Sequence, residues 1–305
     1  MAKLLLRLLS GLCLLTRTGL LILRLDDEAL RMSKIDSTAI IHSSAEIDED
    51  VEIGPYCIVG KRVTIGAGSV LMAHSVVAEN TTLGKRNKVF PYVVLGTPAQ
   101  DLKSSSPDNE LIIGDDNVFR EFVTVHRGTE HDLGKTVIGN GNYLMAYVHI
   151  AHDCVLEDGI IMANGVQIGG HCYIERYSNF GGLAALHHFV TVGRYSFVGG
   201  LTRIVRDVPP FMIVEGNPAE VRSVNFVGLK RRGFSAERVE LLKKAFKILF
   251  YERLPLSAAI EEVENSLPKN EDITYLIESL KRTMKGKSGR AREITRWKEE
   301  ERKES

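Results

Sequence analysis

The sequence predicts a mainly β protein: a coil of very short strands followed by a smaller helical region. Two periodicities carry that prediction. An aliphatic residue recurs every six positions at Ile41, Ile47, Ile53, Val59, Ile65, Leu71, Val77, Leu83, Val89 and Leu95, and beyond Gly216-Asn217-Pro218 the apolar spacing becomes that of amphipathic helices. A period of six matches neither the 3.6 of a helix nor the 2.0 of a single strand. It fits short strands joined by turns, in which each rung buries its apolar side chain only by stacking on its neighbours. Small or β-branched residues stand four positions after the aliphatic ones, as at Ala45, Val51, Cys57, Val63, Ser69, Ser75 and Thr81. Glycine often follows directly, as at Gly54, Gly60, Gly66 and Gly84, where corners need backbone freedom.

Taken in order, residues 1–33 form an N-terminal extension expected to lie outside the fold. The stretch is Leu-rich but carries Arg7, Arg17 and Arg24 and no acid before Asp26. A membrane span needs about 20 apolar residues with few charges, so no stable span is expected. Either an Arg-rich transit peptide or sequence upstream of a start at Met32 accounts for it, and the second is favoured because the repeat begins a few residues later. The coil is expected over 34–222. It is interrupted at 98–110 by a polar loop containing Pro98, Ser104-Ser105-Ser106-Pro107 and Asp108, and resumes in phase at Ile113, as though the loop replaced two sides of one coil. A second excursion, Gly128 to Lys135, adds one residue before the frame restarts at Ile138 and runs to Ile204. Asp207-Val208-Pro209-Pro210 is expected to close the ladder, since proline cannot donate to it. Residues 223–305 form the helical region, with helices expected over 235–253 (Ser235 as N-cap), 257–266 and 271–284. Its last 25 residues carry ten Lys/Arg against five Glu and are expected to fray as a basic tail.

Lysine plus arginine and aspartate plus glutamate balance at 39 each, so no global field draws the chain to nucleic acid or an anionic membrane. Cys13, Cys57, Cys154 and Cys172 form no CxxC pair. Three of them fall at the small buried position of the hexad, which reads as packing thiols in a reducing compartment.

The chemistry concentrates between His149 and His188, which holds five of the nine histidines in three clusters: His149-Ile-Ala-His152-Asp153-Cys154, Gly169-Gly170-His171-Cys172 and His187-His188. Ile150, Ile168 and Leu186 are spaced by 18, three rungs each, so the clusters are expected to stack. His152 beside Asp153 is the kit of a general base. His149, His171 and His187 lie within reach. Gly169-Gly170 allows close approach to the backbone and offers an N–H to a developing oxyanion. Lys103 in the polar loop and Arg231-Arg232 offer fixed positive charge for a phosphate or an acidic partner.

Five motifs in order, Gln100-Asp-Leu-Lys103, Val125-His-Arg-Gly128, His149-Ile-Ala-His-Asp-Cys154, Asp207-Val-Pro-Pro210 with Gly216-Asn217, and Gly228-Leu-Lys-Arg-Arg-Gly-Phe234, resemble the UDP-N-acetylglucosamine O-acyltransferases of lipid A synthesis. These are hexapeptide-repeat acyltransferases, and the resemblance covers about 34–284. It implies a left-handed parallel β-helix of hexapeptide repeats followed by a C-terminal α-helical domain, in a cytoplasmic homotrimer with active sites between subunits. The implied reaction moves a 3-hydroxyacyl chain from acyl carrier protein to the sugar 3-hydroxyl of UDP-N-acetylglucosamine, without metal or other cofactor. His152 is then the base, Asp153 its orienting partner and Gly170 the oxyanion donor. Gln100, Asp101, Lys103, His149, His171, His187, Asn225, Arg231 and Arg232 match substrate-contacting positions. Gly200 matches the position that measures acyl length, with Phe197 in the same groove. His188 and Val227 depart from the usual glutamine and acidic residue.

Two other readings belong beside this one. Some relatives acylate a 3-amino analogue of the same sugar nucleotide and make an amide. Zinc carbonic anhydrases of the gamma kind share the scaffold, but they space two ligands as His-x4-His, whereas here the pairs are His-x2-His and His-His.

Overall fold

The computed structural model describes residues 34–293; the N-terminal extension, with Cys13, and the end of the basic tail lie outside them. Among the described residues the chain winds into three sheets of 11, 9 and 8 strands, most of them two residues long. Successive strands visit the sheets in rotation, so the sheets are the faces of a triangular prism, the expected left-handed parallel β-helix. Face A begins at Lys34–Ile35, face B at Ile40–Ile41 and face C at Glu46–Ile47. On face B Ile150 pairs with Ile168 and Ile168 with Leu186, and all three are buried in one interior column. The second residue of each short strand is therefore the aliphatic one of the hexad, and it points inward.

Corners between faces are turned by residues in the left-handed region, many of them not glycine. Side chains at equivalent corner positions stack from coil to coil. Tyr56, His74, Tyr92, Phe122 and Tyr147 form a ladder on the A/B edge with ring centroids about 5 Å apart.

Two coils are longer than the rest, and both are lengthened at the B/C corner. Residues 98–109 are inserted between Val94–Thr97 on face B and Glu110–Ile113 on face C. The first loop thus adds to a corner and replaces no side of the coil. It is two hexads long, so phase alone cannot distinguish addition from replacement. A second insertion joins Thr124–His126 on face B to Lys135–Ile138 on face C.

The paired prolines do not end the ladder. Val208 still bridges Val192, and Met212–Glu215 adds a parallel strand to face A before Glu220–Val224 turns back antiparallel. Pro209 and Pro210 occupy a corner, where no ladder N–H is required.

Helix α1 (Phe226–Arg231), too short to show in the sequence pattern, is capped by Asn225. Helix α2 (Ala236–Phe246) starts at Ser235, whose hydroxyl accepts from the Arg238 N–H, and continues as a π-helical turn to Tyr251. Helices α3 (Leu256–Ser266) and α4 (Glu271–Lys285) complete the region. Arg238 grips Asp272 with two bonds of 2.7 and 2.8 Å, and the Tyr275 hydroxyl donates to Glu175 on the coil at 2.6 Å. The described part of the tail does not fray. Asp207 N–H donates to Gly289 O, Ala291 N–H donates to the Asp207 carboxylate, and the buried Arg290 donates to Val205 O. A half-buried carboxylate at Asp207 thus fastens a C-terminal strap, Gly286–Glu293, to the coil.

Candidate active site

The histidine clusters occupy successive rungs of the B/C corner, because each follows a face B strand and precedes a face C strand. Asp153, His171 and Phe189 take equivalent left-handed positions, with φ of 57°, 62° and 65°. The sequence left open whether Asp153 could reach its neighbour, since adjacent strand residues point apart. The corner conformation resolves this: Asp153 Oδ2 lies 2.9 Å from His152 Nδ1. That carboxylate is fully buried and also accepts the Thr129 N–H at 2.9 Å and the Thr129 hydroxyl at 2.7 Å. With a carboxylate on Nδ1, the assigned tautomer carries its proton there, leaving Nε2 with a free lone pair.

Nε2 lies against Gly170. A Cβ built on Gly170 would come within 2.8 Å of it, so only glycine admits the ring in this position. The buried Gly170 N–H donates to no group among the described residues, whereas its carbonyl accepts from Phe189 N–H. A base and a free backbone donor thus share one small cavity of about 200 Å³, lined by Asp101, His152, Gly170, His171, His188 and Phe189.

The polar loop reaches this cavity through Asp101. The Lys103 N–H donates to Asp101 Oδ1 at 3.0 Å and holds that carboxyl below the ordinary carboxylate range. Three residues from the second insertion and its strand position the loop: His126 through Nδ1 to Pro98 O at 2.6 Å, His131 through Nε2 to Lys103 O at 2.9 Å, and Glu130, whose carboxylate accepts from Ser104, Ser105, Ser106 and Asn109. Gln100 and Lys103 are exposed on the loop.

The remaining histidines differ in placement. His171 is buried, bonded through Nδ1 to Asp132 Oδ2 at 2.6 Å, stacked on Phe189 at 4.4 Å and edge-on to His152 at 4.9 Å. Expected as a substrate contact, it is also a wall that fixes the His152 ring. His149 bonds Thr124 Oγ1 at 2.9 Å, and burial, with His126 and His152 nearby, pushes its pKa down to about 4. His187 bonds His188 O at 3.0 Å and lies beside the cavity lining.

The other expected site residues lie elsewhere on the chain. Phe197, Asn225, Arg231 and Arg232 line a separate cavity of about 580 Å³ between face A and α1. There Asn225 is committed at both ends, capping α1 through Gly228 N–H and donating to Tyr195 O at 2.9 Å. Arg232 stacks over the Tyr177 ring at 4.2 Å. Gly200 sits on the A/B corner and lines neither cavity. Sequence reasoning missed Thr129, His126 and Asp132 as supports of the dyad and loop. Only Val125-His-Arg-Gly128 pointed to that segment. Phe189 was signalled by its spacing of 18 from His171.

His152, Asp153 and His171 offer ligand atoms all within 4.8 Å of one another. A tetrahedral zinc would hold nitrogen and oxygen ligands roughly 3.3 Å apart. The His152–Asp153 contact of 2.9 Å is that of a direct hydrogen bond, so the group is arranged as a dyad. Cys57, Cys154 and Cys172 are buried and free, each with Sγ 3.0 to 3.2 Å from a carbonyl oxygen, as packing thiols. Among the described residues no helix is long and apolar enough to cross a membrane.

Comparisons with known proteins show what the chain is similar to. A profile described as UDP N-acetylglucosamine O-acyltransferase, domain 2, matches residues 207–289, and one for bacterial transferase hexapeptides matches 135–170. The acyl-[acyl-carrier-protein]–UDP-N-acetylglucosamine O-acyltransferase of Thermodesulfovibrio yellowstonii is 44% identical over 255 residues, 84% of this chain and 99% of that protein. Among solved structures, LpxA of Acinetobacter baumannii is 40% identical with a TM-score of 0.78, covering 81% of this chain and 96% of that one. LpxA of Bacteroides fragilis, a UDP-N-acetylglucosamine acyltransferase, is 34% identical with a TM-score of 0.79 over 81% and 96%.

Proposed function

Because this chain belongs to the acyl-[acyl-carrier-protein]–UDP-N-acetylglucosamine O-acyltransferases, the enzymes that open lipid A synthesis, we propose that His152 is its general base and the Gly170 N–H its oxyanion donor. His152 Nε2 takes the proton of the sugar 3-hydroxyl as that oxygen attacks the thioester carbonyl of a 3-hydroxyacyl chain on acyl carrier protein. The tetrahedral oxyanion accepts from the Gly170 N–H. Collapse expels the carrier thiolate, which recovers the proton from the His152 imidazolium. Asp153, held by Thr129, keeps the ring in the productive tautomer and stabilises its charge. The observation that carries this reading is the contact between the His152 ring and Gly170, whose lack of a side chain leaves room for the ring.

Asp101, Lys103 and Gln100 on the loop, with His149, His171 and His187, form the sugar side of the site; Asn225, Arg231 and Arg232 form the nucleotide and carrier side, and Phe197 and Gly200 bound the acyl chain. In one chain these halves lie on different faces, which supports a homotrimer in which face A of one subunit covers face B of the next; its proposed location is the cytoplasm. The exposed ring ladder on the edge between those faces fits a buried position in such an assembly. Residues 34–222 then carry the chemistry, and 223–305 the nucleotide end.

Subunit mixing tests this. Preparations of His152→Ala alone and of Arg231→Ala/Arg232→Ala alone are expected to be nearly inactive, and mixed trimers of the two to recover activity. No recovery on mixing would place the whole site within one chain. A mass spectrum of the product formed from UDP-N-acetylglucosamine and a mixed acyl-carrier pool reads the acyl length and the ester linkage.

A further inference from the structure

Behind the substrate loop, in a cavity that shares no lining residue with that of His152, lies a buried arginine with no ion pair among the described residues. Arg127 is 95% buried, as its exposure of 5% states, and its Nε has no hydrogen-bond partner. Its Nη1 makes only two long contacts, 3.4 Å to Glu79 O and 3.4 Å to Pro107 O. Both are neutral carbonyls. Among the described residues no carboxylate forms an ion pair with it. Burial pulls its pKa down, and Arg62 adds a second positive charge nearby against the single carboxylate of Glu79. Glu130, the acid closest in sequence, is occupied by the serine amides and hydroxyls of the loop and by Asn109.

Buried guanidinium groups are normally paired, because an uncompensated charge in a low-dielectric site is strongly destabilising. Here a cavity of about 290 Å³ adjoins Arg127, and its lining includes Glu79, Pro98, Ser104, Ser105, Ser106 and Asn109. The Ser106 hydroxyl accepts from the Asp108 N–H and keeps its own proton to donate. The space exceeds the roughly 30 Å³ share of a single water many-fold.

We propose that this cavity is a binding site for a small oxyanion of the phosphate class, held by the Arg127 guanidinium and the Ser106 hydroxyl. Its floor is the segment after Pro98, the residue that His126 grips, so occupancy stiffens the loop that presents Gln100, Asp101 and Lys103. The site lies behind the loop, separate from the cavity of His152, and its existence does not depend on the catalytic assignment.

The probe is inorganic phosphate, with the full-length protein in chloride of matched ionic strength as reference. Phosphate at millimolar concentration is expected to raise Tm by several degrees in the wild type and to leave Arg127→Met unmoved. Crystals soaked in selenate are expected to show an anomalous peak beside the guanidinium. That measurement uses the wild type alone and decides the matter if Arg127→Met fails to fold. A separate arm measures stabilisation by UDP-N-acetylglucosamine, expected to be equal in wild type and variant. No anomalous peak together with no phosphate-specific shift would overturn the proposal. So would loss of the nucleotide sugar's effect in Arg127→Met without any response to phosphate, since the arginine would then serve the substrate's own diphosphate.

Discussion

The His152 ring lies directly over the α-carbon of Gly170, so close that a methyl group there would sit 2.7 Å from Cε1 and 2.8 Å from Nε2. Two residues 18 apart in sequence thus define one site, because one coil of the β-helix brings each corner onto the next.

Gly170→Ala tests that relationship without altering the backbone, since Gly170 does not require a left-handed conformation. The added methyl displaces the ring from the reacting proton and crowds the oxyanion donor. Turnover is expected to fall about 10²-fold or more, with Tm within a few degrees of wild type.

Asp153→Asn replaces an acceptor of the His152 Nδ1 proton with a group that can present an N–H, favouring the wrong tautomer. The expected loss in kcat is about 10³- to 10⁴-fold at nearly unchanged KM. Thr129→Val, which removes one of the bonds that hold Asp153, should cost less. Steady-state kinetics of the pair, side by side, checks the order.

His149 imposes a pH dependence on stability. Its pKa falls to about 4 in the fold against about 6.5 in an unfolded chain. Between those values the unfolded state binds more protons, so stability rises with pH through that window and is lost as pH falls from 6.5 toward 4. His149→Gln should remove roughly 1 kcal/mol of that loss, a figure discounted for partial solvent exposure. Thermal melts at pH 7 and pH 4.5 for both proteins read the difference.

Deleting residues 286–305 removes the strap and leaves the Asp207 carboxylate without the Ala291 N–H. A half-buried carboxylate stripped of a donor costs about 1 kcal/mol, so Tm should drop by a few degrees.

The coil and the column of histidines were legible because both follow from strict spacing: a hexad places Ile150, Ile168 and Leu186 inside, and multiples of 18 place His152, Gly170 and His188 on one corner. What spacing could not convey lay in the insertions and the ends. A loop two hexads long keeps phase whether it replaces sides or adds to a corner. Pro209-Pro210 reads as a stop, yet sits where no ladder bond is needed. Helix α1 spans too few residues for a period to register. The tail looked like solvated basic sequence because its anchors, Val205 and Asp207, lie far back in the chain. Likewise the supports of the dyad, Thr129 and Asp132, come from an excursion whose shape no periodicity describes.

The central claim is that the His152 imidazole accepts the proton of the attacking hydroxyl. Its most direct measurement is kcat of His152→Ala with UDP-N-acetylglucosamine and a 3-hydroxyacyl carrier-protein thioester. The account predicts a fall of about 10²- to 10⁴-fold in a protein whose melting curve matches wild type. A variant that turns over at close to the wild-type rate would contradict it.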